Sequence, residues 1–282
     1  MNFDYYGDQV EFAFAVGPDA SNPTAAYPIV DWEWESEVPS DPNSLLSDLG
    51  SDVGVVHLGA PVTGVTPMSI GTLSDADIGK RFTILGYGIQ NNYEEDGTRK
   101  AGSLTLRGFG GNYADYVFGG LEGFLKGAQS MPDFAGLPEW YLIEIYAELT
   151  LLPEYQAFLG GRPGDAQPCF GDSGGPLIAM RNGVRTVFGN VTSGLGSNRL
   201  ICDFGAVFAV FGPATQTFLQ RALSWVDPCA GVTVKGYCDG DLAIRCTARN
   251  EGQRRLSETD CGLLGQTCGL DSTGTVACVD PI

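Results

Sequence analysis

Apolar and polar residues alternate in short runs along most of this chain, and turn residues close each run after a few positions. Gln9–Gly17 alternates well enough for a half-buried strand, which Gly17-Pro18-Asp19 ends. Tyr27–Trp34 is a second strand candidate, and the density of Pro, Asp, Ser and Asn between Glu35 and Gly50 predicts a surface loop. Ser51–Val62 reads as an acidic residue leading a buried apolar strand, and Arg81–Gln90 as a strand entering Gly86-Tyr87-Gly88. Asp96-Gly97 predicts a turn and Leu104–Arg107 the returning strand. The pattern changes between Gly108 and Gly164. Apolar positions within Pro138–Leu152 recur at mixed spacing, so one or more helices are expected there. Packing is the default role of that stretch, and shaping a substrate cleft is the alternative. Ala214–Val226 has the pattern of an amphipathic helix.

Forty glycines and sixteen prolines favour short strands and turns over long helices, so the main body is expected to be all-β. The cysteines mark a boundary. Six of the eight stand at 229, 238, 246, 261, 268 and 278, which divides the 282 residues into a domain over 1–228 and a Cys-rich module over 229–282. Such clustering reads as a disulfide scaffold with 15 possible connectivities, and hence as a secreted, extracellular chain. Zinc is the competing reading. The module lacks short Cys-x-x-Cys pairs and histidine, so no metal is expected, and no cofactor. Glu94-Glu95-Asp96 lacks calcium-loop spacing and reads as a solvated turn. A net charge of −18 opposes nucleic acid, and no run is long enough to span a membrane. A binding partner for the module is conceivable from its class alone.

The chemistry converges on Cys169-Phe-Gly-Asp-Ser-Gly-Gly-Pro-Leu177. A serine hydroxyl needs a base and aimed N–H donors to attack a carbonyl, and glycines on both sides of Ser173 allow the backbone approach this requires. Gly171 and Ser173 N–H groups are the candidate oxyanion donors. The looser Gly-x-Ser-x-Gly reading, a nucleophile elbow, fails because no histidine follows Ser173 and the sequence after Pro176 reads as a strand.

The string Gly-Asp-Ser-Gly-Gly-Pro-Leu, with Cys169 four residues before the serine, resembles the active-serine motif of the chymotrypsin/trypsin-like serine peptidases. The resemblance extends to Ser51-Asp52 leading an apolar strand that ends in Ala60-Pro61-Val62, which implies Asp52 as the triad acid. It implies a double antiparallel β-barrel of chymotrypsin type, its first barrel incomplete, with a C-terminal helix, and a serine endopeptidase acting on a peptide or protein substrate. Thr186–Gly194 and Gly205–Val210 resemble the strands that line the specificity pocket. By the same match, Cys169 pairs with Cys202, and Gln167, Thr192, Gly194 and Ala206 surround a pocket for an uncharged side chain. Where family members are made as zymogens, the residue matching Asp172 pairs with a newly released N-terminus.

One element is out of place. The chain's one histidine, His57, lies five residues after Asp52, which in an extended strand separates their Cα atoms by roughly 16 Å and turns them to opposite faces. The family's histidine precedes its aspartate, so the resemblance implies a catalytic histidine upstream of Met1, in a longer secreted precursor. A catalytically inactive homologue acting as a binding or adhesion protein is the alternative.

Overall fold

The computed structural model describes residues 12–35, 51–89, 97–131, 134–198, 201–248 and 254–281. The start of the first expected strand, the loop at 36–50 and the acidic turn at 94–96 lie outside the described residues. Strands β1 (Ala13–Val16), β2 (Ala25–Trp34) and β3 (Gly54–Leu58) form an antiparallel sheet in that order. The short β4 (Ser69–Ile70) runs parallel to the beginning of a later strand.

Six strands then close on themselves. They are β5 (Arg81–Gly86), β6 (Lys100–Gly108), β7 (Gln156–Leu159), β8 (Pro176–Arg181), β9 (Val184–Asn198) and β10 (Ile201–Val210). The order β10-β7-β6-β5-β8-β9, with β9 also paired to β10, makes an antiparallel barrel without a free edge. The alternation in sequence becomes inside and outside. Phe82 and Ile84, Leu104 and Leu106, Ala157 and Leu159, and Ala206, Phe208 and Val210 point inward at every second position. A cavity-forming change such as Phe208→Ala is expected to cost about 3–5 kcal/mol.

Strand β9 breaks the period. Its inward residues Phe188 and Val191 are three apart. Against β8 the register shifts between Leu177 and Ile178, and against β10 between Val207 and Phe208. Each shift inserts one additional β9 residue, Phe188 in the first case and Thr192 in the second. These are β-bulges, which redirect the side chains they carry.

The segment between β6 and β7 is helical, as expected for Pro138–Leu152, and two further helices precede that stretch. Helices α1 (Tyr113–Phe118), α2 (Leu121–Ala128) and α3 (Glu139–Glu148) share a small core of Ala114, Phe124, Ala128, Leu142 and Leu149. Asn112 starts α1 by accepting the Ala114 N–H at 2.9 Å, and Gly119 stops it in the left-handed conformation. Tyr113 and Tyr116 stack on Phe158 of β7, seating the helical unit on the outside of the barrel. After β10, helix α4 (Pro213–Leu223) buries Phe218 and Leu219 against Val53 and Ala209, which joins the N-terminal sheet to the barrel wall.

The Cys-rich module is a three-stranded sheet, β11 (Tyr237–Asp239), β12 (Leu242–Ala248) and β13 (Arg254–Asp260), followed by the hairpin β14 (Thr267–Leu270) and β15 (Val276–Val279). Bonds Cys229–Cys246, Cys238–Cys268 and Cys261–Cys278 staple it internally, and no disulfide crosses to the barrel. With Cys169–Cys202, the chain has four disulfides and is mostly β, with a closed six-strand barrel and a few helices. No described helix is long and apolar enough to cross a membrane.

Candidate active site around Ser173

The loop before β8 is shaped by backbone contacts that only glycine permits. Gly171 has φ +89°, and a Cβ there would stand 2.9 Å from the Gly88 Cα. Asp172 bridges the same two strands of chain. One carboxylate oxygen accepts the Gly88 N–H at 2.9 Å and the other the Cys169 N–H at 3.0 Å. The Cys169–Cys202 disulfide ties the front of the loop to β10, and the loop's rear docks on β9. There Gly174 N–H donates to Val191 C=O at 2.8 Å, and Val191 N–H to Gly175 C=O at 2.9 Å.

Within this web the N–H groups of Asp172, Gly174 and Gly175 all have carbonyl partners. Those of Gly171 and Ser173 donate to nothing among the described residues. Ser173 itself is exposed and borders two cavities, one of about 820 Å³ and one of about 370 Å³.

The larger cavity lies between the barrel and the N-terminal sheet. Ser173, Asp52, Trp32, Glu33, Asn190 and Phe211 are among its walls. Asp52 precedes β3 with φ +47°, a conformation that costs about 1–3 kcal/mol outside glycine, less for Asp than for most residues. Its carbonyl accepts from the Asn190 side-chain amide at 3.2 Å. Desolvation raises the Asp52 pKa above the ordinary aspartate value, and a hydrogen bond with the Thr192 hydroxyl opposes that rise. Thr192 is the bulged residue of β9, and its Oγ1 also accepts the Ala209 N–H at 3.0 Å. The bulge therefore lets one hydroxyl serve both the Ala209 N–H of β10 and the Asp52 carboxylate.

His57 is elsewhere. It sits on β3 with its Nε2 3.0 Å from Glu33 Oε1, and its ring stacks on Trp225 at 4.1 Å between centroids. Trp225 in turn donates from Nε1 to Asp31 at 3.0 Å, and Arg221 stands 3.5 Å from Glu33. This is a structural clamp joining the N-terminal sheet to the chain around α4. His57 lines neither cavity.

The four residues expected around a specificity pocket separate into two pairs. Thr192 and Gly194 border the 370 Å³ cavity beside Ser173. Gln167 instead accepts the Gly205 N–H at 2.8 Å, and Ala206 is fully buried in the barrel interior. Neither is part of the cavity wall. Much of that wall comes from the helical unit through Val117, Phe118, Phe124 and Phe134. Phe118, Phe124 and Phe134 are visible in the sequence, but nothing there assigns them to a cavity instead of a core. Among the described residues no group of three or more His, Cys, Asp or Glu side chains could hold a metal ion. Compared with models of protein families and with curated proteins, the chain matches none.

Proposed function

We propose that this protein is a secreted serine endopeptidase of chymotrypsin-like architecture that cleaves peptide bonds through an acyl-enzyme on Ser173. The observation that carries this reading is that an exposed Ser173 and the Asp52 carboxylate border one cavity, and that the backbone N–H groups of Ser173 and of Gly171, two residues before it, have no partner among the described residues. The closed antiparallel barrel fits that architecture, with the N-terminal sheet in the place of the incomplete first barrel. Four disulfides fit an extracellular location.

In the proposed reaction Ser173 Oγ attacks the substrate carbonyl carbon while its proton passes to an imidazole. The carbonyl oxygen becomes an oxyanion and accepts from the Gly171 and Ser173 N–H groups. Collapse of this tetrahedral species expels the amine, which takes the proton back, and water repeats the sequence to release the acid. Asp52 orients the imidazole by accepting its second N–H. His57 is committed to Glu33 and Trp225 and lines neither cavity, so it is not the source of this imidazole. Without the imidazole, catalysis falls to what the oxyanion hole and binding sustain, roughly 10³–10⁴-fold over water.

The test is chemical rescue. A fluorophosphonate loses fluoride when an activated serine attacks phosphorus, and peptide mapping locates the adduct. Addition of free imidazole is expected to accelerate labelling at Ser173, and Ser173→Ala to abolish it. A folded protein that gains no adduct at Ser173 with imidazole present would overturn the proposal and leave a binding protein.

A further inference from the structure

The 370 Å³ cavity beside Ser173 has a composition unlike the rest of this acidic chain. On the barrel side it is bounded by Thr192, Ser193 and Gly194 of β9, and on the far side by Val117, Phe118 and Phe134 with their neighbours from the helical unit. Among the described residues that line it there is no Asp, Glu, Lys, Arg or His, although the chain carries fifty such acids and bases besides His57. Its volume falls within the roughly 300–1,000 Å³ of ligand pockets.

We infer that the helical unit α1–α3 is a specificity element, and that this cavity takes a large apolar side chain, aromatic for preference, next to the bond that Ser173 attacks. Three observations converge on it. Ser173 stands at the mouth, so whatever fills the cavity is adjacent to the nucleophile. The aromatic wall is held rigidly, because Phe118 packs edge-on against both Phe124 and Phe204 at 5.7 and 5.3 Å. A charged side chain entering it would lose its hydration and meet no counter-charge among the described lining residues, whereas a flat apolar ring would gain edge and face contacts with those phenylalanines. Two residues expected around the pocket, Gln167 of the loop before β8 and Ala206 of β10, make other contacts and are absent from its wall. The helical unit supplies much of the apolar wall, and β9, β10 and the serine loop supply the rest.

The placement of this side chain beside a scissile bond rests on the serine reading, and the experiment separates the two. Alkylboronic acids bond to a serine Oγ as a tetrahedral boronate, with the hydroxyl proton released to solvent and no leaving group. Titration should show 2-phenylethylboronic acid binding at least tenfold more tightly than methylboronic acid, and a guanidinium-bearing alkylboronic acid no more tightly than methyl. Val117→Phe, which narrows the cavity, should erase the preference. Phe134→Ala, which widens it, should shift the preference to a 2-naphthylethyl group, so that misfolding of one variant does not decide the matter. Indole is the noncovalent control and should bind Ser173→Ala as well as the unaltered protein. Equal affinity for all three boronic acids, with no indole binding, would overturn the pocket while leaving Ser173 as nucleophile. Indole binding that Val117→Phe removes, with no boronate at Ser173, would retain the pocket and overturn the serine reading.

Discussion

Asp172 is where the shape of the serine loop can be tested most directly, because one carboxylate holds two backbone donors from different parts of the chain. Bonds from N–H groups to a charged acceptor contribute about 1.5–3 kcal/mol each, and a buried donor left without a partner costs about 1–3 kcal/mol. Gly88 is buried, so its N–H has no ready replacement in water. Asp172→Asn keeps one acceptor and turns the other position into an NH₂ facing an N–H. The loss worked from these terms is about 2–4 kcal/mol, and for Asp172→Ala about 3–5 kcal/mol. Amide exchange at Gly88 reads this locally. Each 1.4 kcal/mol is tenfold, so the Asn variant should exchange roughly 30- to 1,000-fold faster. Labelling of Ser173 should fall with it, since the same loop carries both proposed oxyanion donors. Gly88→Ala approaches the contact from the other side. Its Cβ would lie 2.6 Å from the Phe170 carbonyl oxygen and 2.7 Å from the Asp172 carboxylate, forcing the pair apart while keeping the charge. Gly88 exchange within threefold of normal in Asp172→Asn would refute the reasoning, because the carboxylate would then be a bystander.

Four further outcomes follow from the same contacts. Thr192→Val removes the hydroxyl bonded to Asp52 and orphans the fully buried Ala209 N–H; it should cost about 1–3 kcal/mol in denaturant unfolding and slow imidazole-dependent labelling, while Thr192→Ser restores both. His57→Phe should keep the stack on Trp225 and lose the Glu33 contact, reducing stability by about 1 kcal/mol without changing the labelling rate of Ser173; a large rate loss would overturn the exclusion of His57 from the site. Replacing Cys169 and Cys202 together by serine opens a loop spanning 33 positions and should lower stability by roughly 3–4 kcal/mol on the chain-entropy scaling. Because the folded state raises the Asp52 pKa, chiefly by desolvation, it binds that proton more tightly than the unfolded chain does. The contribution is favourable below the ordinary aspartate pKa and is lost as pH rises through the raised native value, so the stability of Asp52→Asn relative to the unaltered protein should grow across that window and then level off.

Much of the fold could be read from the chain because the barrel obeys a period of two. Phe82 and Ile84, or Ala206, Phe208 and Val210, declare their inward face by alternation alone, and the clustered cysteines declare the module. The pairing inside the module could not be read, since six cysteines at irregular spacing leave fifteen arrangements open until the strands bring Cys238 to Cys268 and Cys261 to Cys278. The three helices were legible only as a loss of alternation. Their apolar faces are divided between a private core, the Phe158 side of the barrel and the cavity beside Ser173, and no single helical period records three destinations.

The site divides along a similar line between local and distant causes. The serine loop was legible as far as its requirements are local, as in the positive φ of Gly171; the approach of the Asp172 carboxylate to Gly88, 84 positions away, was not. Thr192 was expected as a pocket wall, and its second role at Asp52 was hidden because it arises from a bulge, which is a property of how β9 pairs with β10 and not of β9 alone. Strict alternation would point a residue between Val191 and Ser193 into a fixed face of the ladder. The additional residue frees that side chain to serve the Ala209 N–H and the Asp52 carboxylate at once. A threonine hydroxyl suits the position because it can accept from the first and donate to the second, which neither valine nor alanine can do. His57 illustrates the converse. Its spacing from Asp52 excluded a shared hydrogen bond, but its actual partners, Glu33 on the neighbouring strand and Trp225 beyond α4, are 24 and 168 positions away and become neighbours only through the packing of the N-terminal sheet against the barrel.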